Sequence, residues 1–143
     1  MRKIFSTLIF FCAIILTTTA NAENWRYVTI NVYGSWYIDT QTAFIDQSAD
    51  DEFLFHVLVK KQLSDNGRKL VGNDNLLYTV YLEEFRFKDN KKYFRVVQAT
   101  NYTRNGRFSD DPTSIFDWDE IPPNTVAESL YNAAYIALNR TRN

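Results

Sequence analysis

Cysteine, histidine, proline and glycine are all scarce in this sequence, and each scarcity closes off a class of chemistry. The one cysteine, Cys12, sits inside an apolar run near the start. A domain that begins after this run has no disulfide and must hold together by packing alone. The one histidine, His56, lies among apolar neighbours in an alternating stretch. Without a cysteine or an evident carboxylate partner it builds neither a metal site nor a nucleophile relay, and it reads as a half-exposed strand residue. The four glycines, Gly34, Gly67, Gly72 and Gly106, are scattered and all read as turn residues. They form no phosphate-cradling loop or nucleophile elbow, and no HExxH helix is present. Glu83 and Glu84 are adjacent in a strand, so they point to opposite faces and cannot act as a catalytic pair. The residues therefore suggest no enzyme: no catalytic residue, cofactor or metal is expected.

Basic charge in excess is also missing. The chain carries 16 basic and 17 acidic residues. Arg2 and Lys3 precede the apolar run Ile4 to Leu16, and Ala20-Asn21-Ala22 follows it, which is the layout of a cleaved secretory signal over residues 1–22. The run is shorter than the roughly 20 residues of a spanning helix. Residues 23–143 are then expected to form a single exported domain, in the periplasm or at the cell surface, with no membrane insertion after cleavage. Losing Arg2 and Lys3 leaves 14 basic residues against 17 acidic ones, so nucleic acid and anionic membrane are not expected partners. Lys60, Lys61, Arg68 and Lys69 form a small basic group that reads as a solvated strand end. Asp110, Asp111, Asp117, Asp119 and Glu120 cluster around Pro112 without the spacing of a calcium loop, and read as a solvated acidic loop.

What the sequence has in quantity is aromatic residues, with 9 Tyr, 11 Phe and 3 Trp, a composition suited to half-buried pleated surface. Alternation predicts successive strands at 25–31 and 36–39, a third and central one at 53–60, then 76–87, 92–102 and a short one at 107–109. Ala43–Ile45 is a brief apolar stretch, and Leu63–Asn75 reads as a polar loop or hairpin tip. Lys88 to Lys91 is a tight polar turn, and Asn105-Gly106 is the strongest hairpin signal. Short connections between successive strands predict an antiparallel meander. Near the C-terminus, Thr125 stands three residues before Glu128, the capping-box spacing at a helix start. Val126, Ala127, Leu130, Ala133, Ala134, Ala137 and Leu138 then make one apolar stripe. The expected fold is α+β: a single curved antiparallel meander sheet of about five or six strands, with one C-terminal helix packed on one face. A single helix covers only one face, so aromatics on the other are expected to meet a partner, a second copy or a ligand. Tyr37, Tyr78, Tyr81 and Tyr93 are the candidate binding contacts.

Four segments, in order, carry a resemblance. They are Trp25-Arg26-Tyr27-Val28, Trp36-Tyr37-Ile38-Asp39, Tyr102-Thr103-Arg104-Asn105-Gly106, and Trp118 with Ile121, Pro123, Thr125 and Glu128. Together they resemble the surface-adhesin E family of small exported bacterial proteins. The resemblance implies a curved antiparallel sheet with a C-terminal helix on its concave side, and an exported, dimeric binding module. Members commonly tie helix to sheet with a disulfide; the corresponding regions here, Glu83-Glu84 and Ala133-Ala134, hold no cysteine. The reading is an exported, non-enzymatic, adhesin-like module that binds proteins, with host or matrix proteins as the class implied and a homodimer as a further expectation. A periplasmic envelope structural or assembly factor, and a small-ligand carrier, are the alternatives.

Overall fold

The structure, a computed structural model, describes residues 24–49, 51–106, 108–110 and 117–140. The segment read as a signal lies outside them, as do Asp111 and the side chain of Asp110. The strands among the described residues run in the order β1 (Trp25–Asn31), β2 (Gly34–Asp39), β3 (Phe44–Ser48), β4 (Glu52–Leu63), β5 (Leu76–Lys88), β6 (Lys91–Thr103), β7 (Phe108–Asp110) and β8 (Asp119–Glu120). Among the described residues they are accompanied by α1 (Asp65–Val71) after β4 and α2 (Val126–Arg140) after β8. The class is α+β, an antiparallel sheet with a C-terminal helix. Its spatial order is β1-β2-β4-β5-β6-β7, with β3 folded back onto β4 and β8 paired to β6. The expected count of five or six strands is thus too low, because Phe44–Ser48 and Asp119–Glu120 also pair.

Turn chemistry sets the register. Asp89 and Asn90 both take left-handed φ, 52° and 61°, which gives the β5–β6 hairpin a two-residue turn matched to strand twist. At Asn105-Gly106, the strongest hairpin signal in the sequence, only Gly106 turns left-handed, at φ 73°. Asn31 Oδ1 accepts from the Tyr33 and Gly34 amides and closes the β1–β2 turn.

The expected loop at Leu63–Asn75 is instead built around α1. Ser64 Oγ accepts from the Gly67 amide at its N-terminus, and Gly72, at φ 70°, returns its amide to Arg68 and Lys69 carbonyls. Gly67 is no turn residue. It lies inside α1 against the β1–β2 turn, where a Cβ would stand 1.8 Å from the Tyr33 carbonyl oxygen.

α2 begins as the sequence suggests, with a shift of one residue. Thr125 Oγ1 accepts from the Glu128 amide at 3.3 Å, while the Glu128 carboxylate reaches back to the amide of Asn124 rather than Thr125. The helix buries Leu130, Tyr131, Ala134, Ala137 and Leu138. These meet Ile38, Phe55, Val57, Val59 and Phe85 of the sheet, with Ile121 alongside, to form the core. Ala134 is fully buried, and its small side chain lets the helix lie close on the sheet. Tyr131 is the one buried member that the aliphatic stripe did not contain.

Candidate functional site

Alternation along β4, β5 and β6 sorts side chains onto two faces. One face carries Phe55, Val57 and Val59 and lies against α2. On the other, register places Tyr37 beside Lys60, Lys60 beside Val80, and Val80 beside Thr100. Leu58, Leu82 and Gln98 form the next row. Leu58, Val80, Leu82, Tyr37, Tyr78 and Tyr102 are all only half-buried. Trp25, Leu58, Val80, Leu82, Gln98, Thr100 and Tyr102 line a shallow depression of about 220 Å³ on this face.

Lys60 organises the aromatic end of the surface. Its ammonium lies 4.7 Å from the ring centre of Trp25, 5.0 Å from Tyr37 and 5.7 Å from Tyr78. Ring faces are electron-rich, so each attracts the cation, and the three together hold the lysine against the sheet. Tyr78 also stacks on Tyr102 at 4.7 Å, and Tyr27 meets Tyr37 edge-on at 5.9 Å.

The opposite end is charged but internally matched. Arg95 Nε donates to Glu84 at 2.9 Å. Arg86 Nε lies 2.8 Å from Glu52 Oε1, an ion pair that lacks hydrogen-bond direction. The Trp118 ring covers both guanidinium groups, with its centre 4.6 Å from Arg95 Cζ and 5.6 Å from Arg86 Cζ. Tyr93 flanks Arg86 at 6.0 Å. His56 does have a carboxylate partner, contrary to the sequence reading: its Nδ1 sits 2.9 Å from both oxygens of Asp46. A register shift between Ile45 and Gln47 in β3 accompanies that pairing.

Of the four candidate tyrosines, Tyr37, Tyr78 and Tyr93 share this face, with Tyr93 at its charged end. Tyr81 does not. It lies on the α2 side, stacked on Trp36 at 6.1 Å, with the Lys61 ammonium 5.5 Å from its ring. Lys60 and Lys61 consequently serve opposite faces, each lying over ring faces rather than forming the solvated strand end read from the sequence. Arg68 turns back to the Leu63 carbonyl and to Asp65. Asp117, Asp119 and Glu120 are exposed, and Glu120 pairs with Lys91. Among the described residues no group of three or more His, Cys, Asp or Glu side chains is placed to hold a metal ion.

Sequence reasoning missed the central place of Lys60, although its parity with Leu58 on β4 was readable. It also missed Glu83. This carboxyl faces the core between Val57 of β4 and Val96 of β6, 5 % exposed, with Oε2 lacking any partner. Burial pushes its pKa up to about 8, so it is neutral at pH 7. A solitary sealed carboxyl is a cost to stability rather than an acid–base site.

Comparison with protein families, with curated proteins and with solved structures found no match for this chain.

Proposed function

We propose that this protein is an exported, non-enzymatic binding module that contacts a protein partner through the sheet face opposite α2. The observation that carries the reading is the half-exposed surface of Tyr37, Leu58, Tyr78, Val80, Leu82 and Tyr102, with Lys60 set between Tyr37 and Val80. Its composition suits a protein partner. Tyrosine gives large contact area for few rotatable bonds, and aromatic side chains dominate the energetics of many protein interfaces. A partner also removes Leu58, Val80 and Leu82 from water, at roughly 25 cal/mol per Å² of apolar surface. The resemblance to surface-adhesin E proteins adds the partner class, host or matrix proteins, and a sheet that curves about α2. The signal-like segment at residues 1–22 supports export. No helix among the described residues is long and apolar enough to cross a membrane.

Surface plasmon resonance against immobilised extracellular-matrix proteins tests the reading. The expected result is saturable binding to at least one of them, abolished in a Val80→Lys, Leu82→Glu double variant and kept in Ile136→Ser on the exposed side of α2. Binding that survives the double variant overturns the assigned face. No binding to any matrix protein overturns the adhesin-like reading.

A further inference from the structure

The first half of α2 and one end of the sheet enclose an open cleft of about 360 Å³, lined by Phe53, Phe87, Lys92, Tyr131, Asn132 and Tyr135. It lies on the α2 side, away from the surface assigned above, and the inference does not depend on that assignment. Its walls are rings. Phe53 and Tyr135 meet edge to face at 6.0 Å, and Tyr131 and Tyr135 lie parallel at 6.3 Å. Phe87 and Tyr135 remain 37 % and 44 % exposed, so much of this aromatic surface is still wet.

Lys92 is the one charged residue of the lining. Its ammonium lies 4.9 Å from the Tyr131 ring centre and donates to Asn132 Oδ1 at 3.2 Å. The neighbouring Lys91 is paired with Glu120, whereas Lys92 has no carboxylate partner among the described residues. Asn132, which accepts from Lys92 through Oδ1, lines the same cleft. An ammonium, steadied by an amide oxygen and a ring face, is thus held at the rim of an apolar pocket. The Tyr131 hydroxyl supplies no competing anion, since burial first and Tyr135 second push its pKa up to about 12.

We propose that this cleft binds a small monocarboxylate with an apolar tail. The tail lies on Phe53, Phe87 and Tyr135, and the carboxylate pairs with the Lys92 ammonium. The arrangement is that of small-molecule sites in general: mostly apolar walls, and a few polar groups that fix orientation. A charge-assisted pair at the rim selects the head group, and ring contact supplies the rest of the affinity.

Titration calorimetry of the full chain with decanoate, decan-1-ol and decylammonium, all below their aggregation limits, tests this. Decanoate is expected to bind saturably at one site, and decylammonium not at all. Lys92→Gln should weaken decanoate by about tenfold or more while leaving decan-1-ol unchanged, the separation expected of a lost ion pair. Tyr135→Ser should weaken both. Circular dichroism checks that each variant keeps its fold. Three results overturn the proposal: no saturable heat with decanoate, decylammonium binding as tightly as decanoate, or decanoate binding indifferent to Lys92→Gln.

Discussion

Glu83 stands opposite Val57 in the pairing of β4 with β5, its carboxyl closed inside the same core that α2 covers. A buried acid with its pKa pushed up to about 8, from an ordinary 4.5, makes folding take up a proton. The unfolded chain ionises above pH 4.5 while the folded chain keeps Glu83 neutral up to about 8. Stability from this group is therefore full below pH 4.5 and is lost as pH rises towards 8, with a slope of about 1.4 kcal/mol per pH unit. Urea midpoints measured from pH 5 to pH 8 should fall for the native chain and flatten in Glu83→Gln. At pH 7 the glutamine variant should be the more stable by up to roughly 3 kcal/mol. Equal slopes for the two proteins would place the Glu83 carboxyl in contact with water.

Gly67→Ala should destabilise the protein, although alanine is the better helix former by about 1 kcal/mol. The added methyl would meet the Tyr33 carbonyl oxygen at 1.8 Å, and both sides of that contact are backbone. Neither can swing aside, so α1 must lift from the β1–β2 turn. The overpacking cost of about 1–3 kcal/mol exceeds the propensity gain. Chemical denaturation checks the sign.

How far the sequence disclosed all this depends on which forces act locally. Strand alternation is a local property, and it separated Tyr78 from Tyr81 and Glu83 from Glu84 onto opposite faces. The last helix was also legible, since its cap and its apolar period lie within the helix itself. α1 was not. Asp65-Asn66-Gly67 punctuates like a turn, and a seven-residue helix is too short to persist by propensity. Ser64 and the Tyr33 carbonyl, contributed from outside it, hold it in place. The face of Glu83 was readable, but not that α2 covers that face, and so its burial was hidden. Lys92 meets Asn132 forty positions away, a distance at which no pattern in the sequence speaks.

Removing the α2 cap should loosen the helix more than the sheet. Thr125→Ala deletes the acceptor for the Glu128 amide and should cost about 1 kcal/mol. No cysteine is available beyond Cys12, so α2 is held to the sheet without a covalent tie, by packing around Leu130, Tyr131, Ala134 and Leu138 and by the Lys92–Asn132 hydrogen bond. Native-state hydrogen exchange should show α2 amides less protected than those of β4 and β5, and further exposed in Thr125→Ala. Equal protection of helix and central strands would contradict this.

The central claim is that the face of Tyr37, Leu58, Tyr78 and Leu82 is kept for a partner other than this chain itself. Light scattering of the purified protein across a dilution series tests it most directly, run in parallel with the Val80→Lys, Leu82→Glu variant. The account predicts the same mass for both proteins at every concentration, whether monomer or a dimer built through another surface. A dimer that survives dilution in the native chain and falls to monomer in the variant would contradict it, because that face would already be occupied by a second copy.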